Sequence, residues 1–239
     1  MLPFDGSKES EVDSLKLYAI YSEYNEKLKD EWFLPSLTGE FELHIEKADC
    51  FGGNYGTNAF REAVLEKSNL IINAIKENMS ETFVYSDVDI QYFKPIKSLL
   101  LDAIVGHDIV CQRDEPRAKG NQLCTGFFII RANNGTLKLW ERVRKAVRKE
   151  GRDQLAFNRI LNSWWYRQFS YPRIKYNFLS DNFFSAGTLT GENWQPGQEL
   201  VIPDDIVLHH ANWTVGIENK ISQLEYVKRC VESRLNSKE

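Results

Sequence analysis

The chain is short of several things, and each shortage closes off a class of protein. It has no run of ~18 apolar residues, so no segment reads as a transmembrane helix. Met1 to Asp13 is acidic and polar and lacks a basic stretch followed by an apolar one, so no signal peptide is read there and a cytoplasmic protein is expected. Only four cysteines occur, Cys50, Cys111, Cys124 and Cys230; none forms a C-x-x-C pair and their spacing matches no zinc pattern, so free thiols in a reducing compartment are expected. Positive charge is not in excess: the formal net charge is -4, which argues against a general nucleic-acid binder. The Gly-rich stretch Phe51 to Thr57 is not followed by Gly-Lys-Ser/Thr, so it is not a phosphate loop of that kind and reads as a surface loop. Internal repeats, low-complexity tracts and linkers are also missing, and one domain spanning 1–239, with 1–13 loosely ordered, is the simplest account.

What remains is an ordinary globular composition, 42% hydrophobic and 27% charged over 239 residues, enough to bury a sizeable core. Leu15 to Tyr21 reads as a first strand and Phe41 to Ile45 as a second; Asn25 to Phe33 reads as a helix ended by Pro35. Asn58 caps a long helix to about Asn78, whose apolar stripe includes Phe60, Val64, Ile71 and Ile75. Lys67 falls on that same stripe, where a lysine must either snorkel out or meet an anion. Thr82 to Ser86 reads as a buried strand, about Ile96 to Ile104 as a helix, Asp108 to Gln112 and Thr125 to Arg131 as two strands. Helices follow from Asn133 or Asn134 and from about Arg152 to Trp164; residues 165–200 read as short strands and loops, Ile206 to His209 as a last strand and about Gly216 to Leu235 as a C-terminal helix. Strands alternating with helices predict an α/β/α sandwich around a mainly parallel sheet.

In such a sheet ligands bind beyond the carboxyl ends of the strands, which is where Asp87 and Asp89 fall. Two carboxylates at i and i+2 point the same way on an extended chain and offer hard oxygen ligands suited to Mg²⁺ or Mn²⁺, though Asp-x-Asp alone is also a common solvated turn. His209 and His210 follow the last strand; either can be a surface residue, and either imidazole can complete a site, tilting the choice to Mn²⁺. Lys220 lies in the first turn of the last helix, a place that suits a diphosphate or simply an exposed lysine. Asp153, with Gln154, starts another helix and reads either as a helix-start acid or as a partner for a sugar hydroxyl.

The stretches FVYSDVDIQYFKPI (83–96), CTGFFIIRAN (124–133), DQLAFN (153–158) and HANWTVGIENK (210–220) come in the order seen in GT-A sugar-nucleotide transferases. The chain most resembles the nucleotide-diphospho-sugar transferase group, over roughly 15–230. The resemblance implies a GT-A fold (Rossmann-like, with a mostly parallel mixed sheet) and a metal-dependent transfer of a hexose, glucose or galactose, from UDP to a hydroxyl acceptor with retention. It implies that Asp87, Asp89 and His210 hold the metal and that Lys220 binds the donor diphosphate. It puts Lys67 near the donor sugar, Tyr18, Ala19, Ile20 and Tyr21 against the base, and Val88, Asn212 and Gly216 in the donor site. Gln112, Thr125 and Gly126, with Asp153 and Gln154, are implied on the sugar and acceptor side, Asp153 being first in line as base if the reaction inverts. Cys124 departs from the pattern, since similar sequences often carry Asn before Thr-Gly. The competing readings are a non-catalytic sugar-nucleotide or carbohydrate-binding module and a metal-dependent nucleotide-sugar hydrolase.

Overall fold

The computed structural model describes residues 14–54, 56–114, 122–163, 173–185 and 193–236. Six strands form the main sheet: β1 (Leu15–Tyr21), β2 (Phe41–Lys47), β3 (Thr82–Ser86), β5 (Ile109–Arg113), β6 (Leu123–Arg131) and β7 (Tyr176–Phe178), in the order β2-β1-β3-β6-β5-β7. All neighbours are parallel except the two pairs made by β6, which runs against the rest. Three further strands, β4 (Ile90–Tyr92), β8 (Phe183–Ser185) and β9 (Leu208–His210), make a small second sheet in the order β4-β9-β8.

Residues along the central strands divide strictly between two cores. Phe83, Tyr85, Ile109, Cys111, Phe128 and Ile130 face one side, with Ile71, Ile75, Trp140 and Phe157 packed over them from α1 (Asn58–Glu77), α3 (Asn134–Glu150) and α4 (Asp153–Asn162). Val84, Val110, Phe127 and Ile129 face the other side, under Phe33, Leu100 from α2 (Lys97–Ala103), Phe183 and Leu208. Burial on both faces explains why these strands read as near-continuous apolar runs rather than alternating ones. The sandwich expected from the sequence is therefore present, with the small sheet forming part of one outer layer.

Local chemistry shifts a few boundaries. Thr57, not Asn58, caps α1, its Oγ1 accepting the Phe60 N–H at 3.1 Å. Asn133 caps α3 by accepting from Gly135 and Thr136 N–H groups, and Gly151 ends it with φ of 70°. The helical stretch after β1 runs from Glu23 to Ser36, past Pro35 rather than stopping before it. Pro35 has no N–H to donate to a carbonyl four residues back, and the turn before it widens so that Leu34 N–H bonds Lys29 O instead. The last strand starts later than the sequence suggests, at Leu208, and so takes in His210. The expected end of the second helix at Trp164, and part of the 165–200 region, lie outside the described residues. The closing helix, α5 (Ile217–Asn236), has no apolar length to cross a membrane, and no other described helix does.

Candidate active site

Three observations of strand order bring the site together. β3 ends at Ser86, so Asp87 emerges at the carboxyl edge of the parallel strands. β6 runs the other way, so its first residues, Cys124 to Gly126, start at that same edge, and Asp87 N–H bonds Gly126 O at 2.7 Å. In the small sheet Ile90 pairs with His210, which sets His210 beside Asp89, and Ala211 N–H bonds Asp89 O at 2.9 Å. Asp87, Asp89 and His210 thereby offer ligand atoms all within 4.8 Å of one another.

Asp87 is held by the main sheet and α1. Lys67 reaches its Oδ1 at 3.1 Å and the Asp153 Oδ2 at 3.1 Å, while Tyr85, two residues back on the same strand face, donates its hydroxyl to Asp87 Oδ1 at 2.7 Å. The odd lysine on the apolar stripe thus meets two anions instead of snorkelling out. Burial works against the Lys67 charge, but Asp153 and Asp87 outweigh it and hold the ammonium above the ordinary lysine range. Burial, with the Asp87 carboxylate behind it, pushes the Tyr85 phenol far up, so it stays a donor. The Asp87 carboxyl itself is raised by burial and by Asp89, against the pull of Lys67.

Asp89 is held by the C-terminal part. His210 Nε2 lies 3.3 Å from its Oδ1, and the Lys220 ammonium sits on its Oδ2 while also donating to Ala211 O at 3.2 Å. Burial opposes charge here too, yet Lys220 and then His210 prevail and hold the carboxyl well below the usual range. Behind His210, Nδ1 faces Gln112 Oε1 at 2.9 Å, and the Gln112 amide donates to the carbonyls of Phe183 and Phe184 at 3.1 and 2.9 Å. Those two donations fix the amide so that Oε1 faces the ring and accepts from Nδ1–H, which turns Nε2 toward the carboxylates. An imidazole so oriented, with two carboxylates beside it, would offer Nε2 to a divalent cation. His209, the next residue on the strand, points the opposite way, stacks on Phe184 at 5.2 Å between centroids, and is kept neutral by burial and by His210, its pKa pushed down to about 3.

The floor between Asp87 and His210 is Gly126. A Cβ there would lie 2.4 Å from His210 Cε1 and 2.7 Å from Asp87 Oδ2, so no side chain fits. Around this floor opens a cleft of about 690 Å³, a size suited to a small-molecule ligand. Its walls include Ile20, Tyr21, Ser22, Gly52, Lys67, Thr125, Gln154, Trp213, Gly216 and Lys220. Asp114 ties the walls together: its carboxylate accepts from Gln154 Nε2 at 2.6 Å, Asn212 Nδ2 at 2.8 Å and Trp213 Nε1 at 3.1 Å.

Of the residues named from the sequence, Ile20, Tyr21, Lys67, Asp87, Asp89, Thr125, Gly126, Asp153, Gln154, His210, Asn212, Gly216 and Lys220 line the cleft. Val88 reaches it, but its side chain is buried in the core. Tyr18 and Ala19 are not brought there: strand alternation turns Tyr18 into the helix-covered core, where it stacks on His44 and its hydroxyl accepts from Asn78, and Ala19 into the opposite core. Gln112 is fully buried behind His210, so a contact with sugar is replaced by a positioning role. Asp153 and Gln154 are engaged within the wall: Asp153 holds Lys67 and accepts from Thr125 Oγ1 at 3.0 Å, and Gln154 spans from Thr125 N–H to Asp114. Sequence reasoning missed Tyr85 and Asp114. The i, i+2 spacing of Tyr85 and Asp87 and the place of Asp114 at the end of β5 were the available signals.

A mixed α/β sheet with Asp-x-Asp at its carboxyl edge, faced by a histidine from the last strand, defines a glycosyltransferase of the GT-A type. The chain belongs to the nucleotide-diphospho-sugar transferase family, whose sequence pattern matches residues 36–224. Among solved structures it is similar to a glycosyltransferase involved in the glycosylation of the major capsid of PBCV-1, at 13% identity and a TM-score of 0.54, with 89% of this chain and 99% of that one covered. It is also similar to the glycosyltransferase GlyE of Streptococcus pneumoniae TIGR4, at 13% identity and a TM-score of 0.58, spanning 94% of this chain but 62% of that one. At these identities the likeness is one of fold. No curated protein matches the chain in sequence.

Proposed function

We propose that this transferase is a single-domain, metal-dependent hexosyltransferase that takes glucose or galactose from UDP and passes it, with retention, to a hydroxyl acceptor. The observation that carries metal dependence is the convergence of Asp87, Asp89 and His210, with the His210 tautomer fixed by Gln112. Mixed oxygen and nitrogen ligands favour Mn²⁺ over Mg²⁺. UDP and the two sugars follow the family resemblance. A reducing, cytoplasmic setting accords with four free cysteines.

In this reading a divalent cation held by Asp87, Asp89 and His210 would supply Lewis-acid neutralisation of the departing diphosphate. Lys220 and the N–H groups at the start of α5 add positive charge on the same leaving group. Lys67 and Tyr85 hold Asp87 in place from the far side. Gly126 lets the reacting groups approach the floor. The anomeric carbon exchanges its bond to the diphosphate oxygen for one to the acceptor oxygen, and the acceptor proton is released. Retention is favoured because Asp153, the first carboxylate in line as base for inversion, is committed to Lys67 and Thr125.

Calorimetric titration of UDP, with GDP as control, with and without Mn²⁺, tests the proposal. Mn²⁺-dependent UDP binding that Asp89→Ala abolishes without unfolding the protein is the expected result. Equal UDP binding with and without metal would sink the metal assignment, and turnover of donor by water alone, unchanged by any hydroxyl acceptor, would turn the reading into a hydrolase.

A further inference from the structure

Each carboxylate of the pair already has a lysine, and the two lysines are held differently. Lys67 is 9% exposed at its side chain, lies 3.1 Å from both Asp87 and Asp153, and stands 4.9 Å over the Tyr85 ring. Withdrawing it strands two acids in a site with little water. Lys220 is 22% exposed, has one carboxylate, Asp89, and otherwise one carbonyl, Ala211 O at 3.2 Å. It sits in the first turn of α5, its N–H bonding Gly216 O at 3.1 Å, and Gly216 has φ of 90°, a conformation few other residues take. Both Gly216 and Lys220 line the cleft, so the ammonium is next to the open helix end.

We propose that Lys220 is the resident cation of Asp89 and exchanges onto the donor diphosphate, so that divalent metal and nucleotide load in a coupled way through this one side chain. The inference rests on the donor-site reading above. Both Asp89 oxygens are engaged, Oδ1 by His210 Nε2 at 3.3 Å and Oδ2 by Lys220. A divalent ion that uses Asp89 and His210 must therefore enter against an ammonium on the same carboxylate. Like charges at that separation repel strongly where water is scarce. An arriving diphosphate relieves the conflict, because it offers the ammonium two negative oxygens at the end of α5. Charge stays balanced throughout: Asp89 trades a monovalent partner for a divalent one, and the diphosphate receives the displaced lysine. Lys67 has no such exit, so it serves as a fixed counter-ion. By linkage, whatever factor the nucleotide adds to metal affinity, the metal adds to nucleotide affinity.

The test is a pair of calorimetric titrations on the intact protein and on Lys220→Met: Mn²⁺ alone, and Mn²⁺ with saturating UDP. Lys220→Met is expected to bind Mn²⁺ alone about 10-fold more tightly than the unaltered protein, on the order of the gain from removing one competing charge. The factor by which UDP tightens Mn²⁺ is expected to shrink toward unity in the variant, while UDP in the presence of Mn²⁺ binds more weakly. Lys220→Gln, which keeps a donor for Ala211 O, should show the same direction if Lys220→Met fails to fold. Mn²⁺ affinity that is unchanged or reduced in both variants overturns the proposal, as does the absence of Mn²⁺ binding in every form. A protein that binds Mn²⁺ but never UDP defeats the donor reading instead, and the metal titration alone still decides whether Lys220 competes.

Discussion

The two halves of the candidate site are built by different parts of the chain. Asp87, Tyr85, Lys67 and Asp153 stand on the main sheet and the two helices packed against it, and Lys67 lies 20 residues from Asp87. Asp89, His210 and Lys220 meet only because the last strand pairs with β4 and α5 follows it; Lys220 lies 131 residues from Asp89. One half is thus a by-product of the fold's core. The other depends on a late segment docking in register, and it is the half whose cation is easier to move. In the proposed reading, the first half is the frame against which donor and metal would be placed, and the second is the side through which they would enter.

The strongest way to break the comparison is to force the halves apart together. Gly126→Ala puts a methyl against both His210 and Asp87, at distances no real Cβ tolerates. Because the His210 ring and the Asp87 carboxylate are both held by other contacts, the methyl must displace two side chains at once, and overpacking of this kind costs about 1–3 kcal/mol. Mn²⁺-dependent UDP binding should fall by more than about 100-fold, since metal and leaving-group contacts shift at once. Calorimetry with a urea melt checks it; binding retained within about 3-fold would show that the two halves do not share this floor.

Removing each lysine sharpens the contrast. Lys67→Met leaves Asp87 and Asp153 facing each other without a cation and should destabilise the fold by roughly 3 kcal/mol at pH 7, at the lower end for a broken buried pair because Asp87 is 31% exposed at its side chain. Asp87, already raised by burial and by Asp89, loses the opposing pull of Lys67 in the variant, so its folded pKa should lie further above that of the unfolded chain. The variant's stability relative to the unaltered protein should therefore rise as pH falls from 7 toward 5, since the folded variant then binds the extra proton. Lys220→Met removes one cation from the buried Asp89 but leaves it His210, and should destabilise less than Lys67→Met, which strands two acids. Equal destabilisation by the two variants would erase the distinction between a fixed and an exchangeable lysine.

How far the sequence told this story differs between the same two halves. The buried strand ending at Asp87 and the helix bearing Lys67 were legible from apolar periodicity, and Lys67 stood out because it broke that pattern. The partners of Asp89 were harder. The small sheet is made of three-residue strands, too short for periodicity to mark, and β4 follows Asp89 directly. Which histidine faces the carboxylates depends on the register of β9, where a shift of one residue exchanges the faces. Tyr18 went to the core because it lies mid-strand, whereas Ile20 and Tyr21, at the carboxyl end of β1, reach the cleft from either face. The family resemblance places Gln112 on the sugar and acceptor side. The ladder between β5 and β6 shifts between Cys111 and Arg113, and Gln112 is buried under His210 at that irregularity, which no sequence pattern announces.

That irregularity provides the next test. Gln112→Leu removes the acceptor that fixes the His210 tautomer while leaving the three ligand residues intact. Loss of such a hydrogen-bond partner typically costs about 10–100-fold in metal affinity. The Mn²⁺ dissociation constant should rise within that range, measured beside a thermal melt because the carbonyls of Phe183 and Phe184 also lose their donor. An unchanged dissociation constant would mean that Asp89 alone orients the ring.

The smallest effect separates the two adjacent histidines. His209 is fully buried against Phe184, and burial followed by His210 lowers its pKa to about 3 from the ordinary 6.5. In the unfolded chain it takes up a proton near pH 6.5, in the folded protein only near pH 3. Its contribution is therefore whole above pH 6.5 and is lost as pH falls toward 3, where the unfolded state binds more protons. Between pH 7 and pH 5 the loss amounts to about 2 kcal/mol. His209→Leu keeps an apolar side chain in the same place and cannot take the proton, so its urea midpoint should fall less over that interval by a matching amount. Two parallel profiles would show that His209 titrates normally in the folded protein, and the strand would then have to expose it rather than turn it away from the cleft.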